Sequence, residues 1–99
     1  MANNTNPTSI PQPELLIFDG EGYDRWSLKL KTLFRSQDLW ELMDKGILED
    51  EEEARLKETK KKDAKALFIS QQSLHPTLFS RIVVANTAKE AWGTLKFEF

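Results

Sequence analysis

The sequence contains no cysteine and a single histidine, His75. The first absence removes a disulfide framework, a thiol nucleophile and any cysteine-based zinc site. The second leaves no material for a histidine-rich metal site. No sign of charge dominates either: 14 Lys and Arg face 16 Asp and Glu, a net charge of -2, so no overall field draws nucleic acid to the chain. Long apolar runs are also missing. Stretches such as Leu15-Leu16-Ile17-Phe18 fall far short of the roughly 18 apolar residues that a membrane span requires. The start lacks the basic and then apolar order of a secretory signal, and Met1-Ala2 lacks the glycine that N-myristoylation needs. These exclusions point to a cytoplasmic protein. With no G-x-S-x-G and no phosphate-cradling glycine loop, the chain is expected to be neither an enzyme nor a cofactor carrier.

Aromatic residues are what the sequence does have: six Phe, three Trp and one Tyr in 99 residues. A chain of this length forms one small domain and buries only about two-thirds of its unfolded surface, so these rings and the leucines around them must make the core. Residues 1–13 are rich in Asn, Thr, Ser and Pro and are expected to be a disordered, dispensable tail. Residues 14–18 are short and apolar, which suits an extended strap over a helical core. Gly20 and Gly22 then allow a sharp turn that swings Phe18 back toward Tyr23 and Trp26, because glycine adopts backbone angles that other residues resist.

From Tyr23 to about Gln37, Tyr23, Trp26, Leu30, Leu33 and Phe34 recur at helical spacing and share one face, with Leu28 off that stripe. Asp38 is a candidate N-cap for a short helix ending before Gly46, with Leu39, Trp40 and Met43 inward. A long helix is expected over about residues 50–73. Its acidic start and basic middle complement the helix dipole, and Glu53 with Lys57 and Glu58 with Lys62 stand in the favourable i,i+4 order. The first half of this helix should project into solvent, while Ala64, Leu67, Phe68, Gln71 and Leu74 form a core stripe in the second. His75-Pro76 breaks it. A fourth helix from Pro76 to about Val83 brings Leu78, Phe79, Ile82 and Val83 inward. Thr87-Ala88-Lys89-Glu90 is a capping box for the fifth helix, whose stripe is Ala91, Trp92, Leu95 and Phe99. That helix reaches Phe99 without a closing cap, as expected of a bounded fragment of a longer chain.

Each candidate for chemistry has a plainer reading. The acidic run at residues 49–53 does not have the spacing of a calcium loop and reads as a solvated helix start. Lys57, Lys60, Lys61, Lys62 and Lys65 make the best basic patch, but Glu58 and Asp63 dilute it and no aromatic is interleaved for base stacking. Direct RNA binding is therefore not expected. Trp26, Trp40 and Trp92 at helical spacing read first as core.

Three ordered clusters carry a more specific signal: Phe18-Asp19-Gly20-Glu21-Gly22-Tyr23-Asp24-Arg25-Trp26, then Leu39-Trp40, then Ala88-Lys89-Glu90-Ala91-Trp92-Gly93-Thr94-Leu95. The pattern F-x-G-x-x-Y-x-x-W, L-W and A-x-E-A-W-x-x-L resembles the N-terminal capsid-like region of plant Copia-type LTR retrotransposon Gag polyproteins over about residues 14–99. The resemblance implies an all-α, five-helix lobe with an extended N-terminal strap. It also implies a structural role, contributing protein–protein contacts to a shell that packages the element's RNA. The zinc knuckle usual further downstream in such chains is absent, so its activity is not carried over. By position in the motifs, Phe18, Gly20, Tyr23, Trp26, Leu39, Trp40, Ala91, Trp92 and Leu95 are the residues expected to hold the fold. Leu95, Phe97 and Phe99 leave apolar surface at the chain's end, for which a second copy in a weak symmetric dimer is the expected partner. The alternative is a domesticated adaptor that captures a short host peptide in an apolar groove bordered by the strap.

Overall fold

The computed structural model describes residues 17–48 and 52–99. The tail at 1–13, the strap residues 14–16 and the acidic residues 49–51 lie outside the described residues. The fold is all-α: α1 (Tyr23–Ser36), α2 (Trp40–Lys45), α3 (Glu53–Gln72), α4 (Pro76–Phe79) and α5 (Ala88–Glu98). α5 packs against α2 and α3, and α2 also touches α1 and α3.

α1 follows the periodicity of its sequence, with Trp26, Leu30, Leu33 and Phe34 buried. Gly22, at φ 71°, is its N-cap, and Gly20 turns at φ 105° just before it. Both values lie in the left-handed region that a Cβ disfavours. This turn brings the chain back so that Phe18 lies between α1 and the break after α3. There Phe18 N–H donates to Ser73 O at 2.9 Å, and Phe18 O accepts from His75 N–H at 2.9 Å. The two bonds flank Leu74 and make a single parallel bridge at Phe18, the last residue of the expected strap.

The expectation for Asp38 needs correction. Its side chain does not cap α2; Leu39 stands at that N-cap position, without a side-chain hydrogen bond. Asp38 instead has φ 61° and closes α1. Its N–H donates to Arg35 O at 3.1 Å, and Leu39 N–H donates to Phe34 O at 2.8 Å. That is the Schellman pattern, with a left-handed residue just past the helix and an apolar contact spanning it. Here Phe34 and Leu39 supply the contact, both being buried.

α3 is also rotated from its expected face. Asp63, Ala66, Ile69 and Ser70 are buried, whereas Ala64 is exposed and Phe68 is 52% exposed. Leu67 and Gln71 are half-buried, and Leu74 is buried as expected. The polar residues can lie inward because each has a local acceptor or donor. Ser70 Oγ donates to Ala66 O at 3.0 Å, and Ser73 Oγ to Ile69 O at 2.7 Å. Asp63, 4% exposed, accepts from Ala88 N–H, with Oδ1 and Oδ2 at 3.3 and 3.4 Å. It thereby satisfies one of the amides left open at the start of α5. The first half of α3 is largely exposed, as expected. Lys62 reaches across to Asp38, with Nζ to Oδ2 at 3.6 Å.

α4 is shorter than expected. Beyond Phe79 the chain continues in tight turns, in which Ile82 N–H donates to Phe79 O at 3.1 Å and Ala85 N–H to Ile82 O at 3.0 Å. The tighter winding keeps Leu78 and Ile82 buried but leaves Phe79 and Val83 exposed, correcting their inward assignment. His75 caps α4, its Nδ1 accepting from Thr77 N–H at 3.2 Å. At α5, Thr87 Oγ1 accepts from Glu90 N–H at 3.2 Å, and Glu90 Oε1 accepts from Asn86 N–H at 2.8 Å. This is a capping box displaced by one residue on the return bond.

Two predictions follow from these helix ends. Asp38→Gly removes the cost of a side chain in the left-handed region and should stabilise the domain by about 0.5–1 kcal/mol, read as a higher urea midpoint at constant m. The pair with Lys62 is largely exposed and offsets little of that gain. Burial, above all, pushes the Asp63 carboxyl above its ordinary value; the Ala88 N–H opposes this and the Glu90 charge adds to it. Between the ordinary and the raised value the folded chain holds a proton that the unfolded chain has lost. The Asp63 contribution to stability therefore falls as pH rises through that window. Asp63→Asn keeps an acceptor for Ala88 and does not titrate, so it should gain stability relative to the parent as pH is raised from about 4. Parallel denaturant titrations at several pH values measure this difference.

Candidate functional site

The buried aromatic seam comes first, because it fixes what remains for the surface. Phe18, 1% exposed, stacks on Trp26 with centroids 4.7 Å apart, and meets Tyr23 and Phe99 edge-on at 5.7 and 4.9 Å. Trp26 stacks on Trp92 at 6.1 Å, and Trp92 is in turn met edge-on by Phe34 at 6.1 Å and Trp40 at 5.7 Å. Lys31 Nζ lies 4.8 Å from the centre of the Trp40 ring, a cation–π contact over its outer face. The three sequence motifs thus converge, each contributing rings to one seam. Offset and edge-on geometries of this kind contribute about 0.5–1.5 kcal/mol per pair beyond burial. Burial, with the charge of Asp24 in second place and the Ser27 hydrogen bond opposing, holds the Tyr23 phenol above its ordinary value.

Leu39, Ala91 and Leu95 are buried with the seam, while Trp40 and Trp92 are half-buried. Gly20 and Gly22 shape the turn that delivers Phe18. Phe99 is partly exposed yet packs on Phe18 and also stacks on Tyr23 at 6.4 Å. A peptide groove formed by the three tryptophans alone is not what the geometry provides, because the rings are packed on one another and on Phe18.

Phe97 is different: its side chain is 91% exposed. It forms one wall of a groove of about 690 Å³ between α5 and the segment leading to it, with Ile82, Val84, Ala85, Gly93 and Thr94 among the other lining residues. Val84 is 82% exposed. The sequence signalled Phe97 but not Val84, and it placed Val83 inward, whereas the turns after Phe79 leave both valines exposed. A second groove, of about 580 Å³, lies beside the strap and is lined by Ile17, Gln71, Leu74, Pro76 and Phe79.

The Nδ1 of His75 is engaged in capping and lies 3.0 Å from Thr77 Oγ1. Among the described residues no three His, Cys, Asp or Glu side chains gather as metal ligands. No described helix is long and apolar enough to cross a membrane. In comparisons with known proteins, the chain matches no family model, no curated protein and no solved structure. What stands is a small all-α domain with a well-buried aromatic seam and an exposed Phe97 on α5 at the edge of an open groove.

The seam yields a graded prediction. Phe18→Ala and Trp26→Ala should each cost about 3–5 kcal/mol, a large part of the stability of a domain this small. Trp40→Ala, at a half-buried position, should cost less. Chemical denaturation of the three variants tests the order, and soluble, fully stable Phe18→Ala or Trp26→Ala proteins would contradict it.

Proposed function

We propose that the chain is a non-catalytic self-assembly module: the N-terminal lobe of a Copia-type Gag, supplying protein–protein contacts to a shell that packages the element's RNA in the cytoplasm. The observation that carries this reading is the near-complete exposure of Phe97 on α5 and of Val84 in the segment before it, two residues that line one open groove. An aromatic ring and an aliphatic side chain left in water along one groove favour association through that groove. The order of the three aromatic motifs supports the Gag assignment, and the all-α, five-helix architecture is compatible with it. No catalytic group or cofactor enters the proposed role.

Light scattering across a concentration series tests it. The mass should rise from monomer toward dimer between micromolar and millimolar protein. Phe97→Ser should hold the chain monomeric without altering its thermal unfolding, because that side chain touches little of its own domain. Phe99 is unsuited to the same test, since it packs on Phe18. At high protein concentration, electron microscopy should detect ordered assemblies. A strictly monomeric mass at millimolar concentration would contradict the proposal.

A further inference from the structure

The outward face of α5 borders an open groove. Ala88, Ala91 and Leu95 point to the core, so by helical geometry Glu90, Gly93 and Phe97 lie on the opposite side. The segment from Arg81 to Thr87 runs back alongside α5 in the opposite direction, as its two end contacts establish. Arg81 Nη1 bonds Glu98 Oε1 at the C-terminal end of α5, and Asn86 N–H bonds Glu90 Oε1 at the N-terminal end. The groove between them therefore has distinct ends: by chain position Phe97 lies toward the contact of Arg81 with Glu98, and Ala85, with Val84 before it, and Glu90 lie toward the Asn86 contact. Its floor is open at Gly93, where an added Cβ would meet nothing within 4 Å.

We propose that two copies pair through this face about a two-fold axis passing near Gly93, with their α5 helices antiparallel. This rests on the self-association reading above and specifies its interface. An antiparallel two-fold exchanges the ends of the groove. It carries Phe97 of the second copy to the Val84 end of the first, so each copy supplies a ring and the depression that receives it, as an isologous contact requires. The same operation brings Glu90 of the second copy toward Arg81 at both rims, where the guanidinium would bridge it and its own Glu98. An interface of this kind gains orientation from such pairing. Lys89, at the edge of the groove, runs its side chain over Gly46, where Cδ lies 3.2 Å from the position of an added Cβ. The bare backbone at Gly93 lets the two helices cross closely. A partner carrying only a ring would fill the Val84 end and leave Phe97 in water, whereas a second copy covers both.

The chain has no cysteine, so Gly93→Cys gives a single reporter beside the axis. Under mild oxidation at a concentration where the parent is dimeric, it should cross-link to a covalent dimer in high yield. Cysteine substituted at Phe68, on the outward face of α3, should not. Gly93→Gln, which leaves the core untouched, should weaken dimerisation at least tenfold in sedimentation velocity by blocking the crossing. Arg81→Gln should weaken it several-fold, about the scale expected of a rim charge pair. Circular dichroism verifies that each variant is folded. If the parent dimerises but Gly93→Cys fails to cross-link and Gly93→Gln binds as the parent does, this interface is wrong while self-association stands. A parent chain that stays monomeric overturns both.

Discussion

The pinning of Phe18 by two backbone hydrogen bonds is the constraint on which the rest depends. An extended residue between helices has an amide and a carbonyl to satisfy, and leaving either buried and unpaired would cost about 1–3 kcal/mol. The break between α3 and α4 provides both partners, Ser73 O and His75 N–H, because Pro76 begins α4 and the chain must leave α3 just before it. With the backbone held there, the Phe18 ring can face only the seam. Trp26, Tyr23 and Phe99 pack around it, and Trp92 extends the contact to Phe34 and Trp40. A segment of chain outside every helix thus joins α1 to α5.

Much of this was legible in the sequence, for reasons that can be named. α1 was readable because a single stripe at spacings of three and four leaves one possible core face, and two glycines mark its start. The return of Phe18 was readable from the same glycines. The face of α3 was not, since its core positions include Asp63, Ser70 and Ser73 while apolar Phe68 lies outside. Hydropathy marks serine as outward, yet a serine bonded to a carbonyl of its own helix brings no unsatisfied group into the core. Asp63 depends on Ala88, a partner 25 residues away in sequence, which no local pattern discloses.

The ends of the helices divide in the same way. The Thr87 cap is a local signature and held. Asp38 has the composition of an N-cap but the position of a C-terminal stop, and Asp is one of the few residues other than glycine that tolerate the left-handed conformation. The end of α4 was invisible because Ile82-Val83-Val84 continues an apolar run. Tighter turns after Phe79 expose Val83 and Val84, and Val84 becomes part of the groove beside α5. The surface that matters most for the proposed role therefore arises from a departure from regular helix that the sequence conceals.

α5 consequently faces two ways. Its inner side completes the seam through Trp92 and Leu95, and its outer side presents Phe97 and an open Gly93 between opposite charges. Isotope-filtered nuclear Overhauser spectroscopy on a mixture of labelled and unlabelled chains tests the central claim most directly, because it detects only contacts between copies. The account predicts intermolecular contacts from the Phe97 ring to Val84 and Ala85, growing with concentration. Intermolecular contacts confined to other surfaces, such as Phe68 on α3 or Phe79 beside the strap, would contradict it.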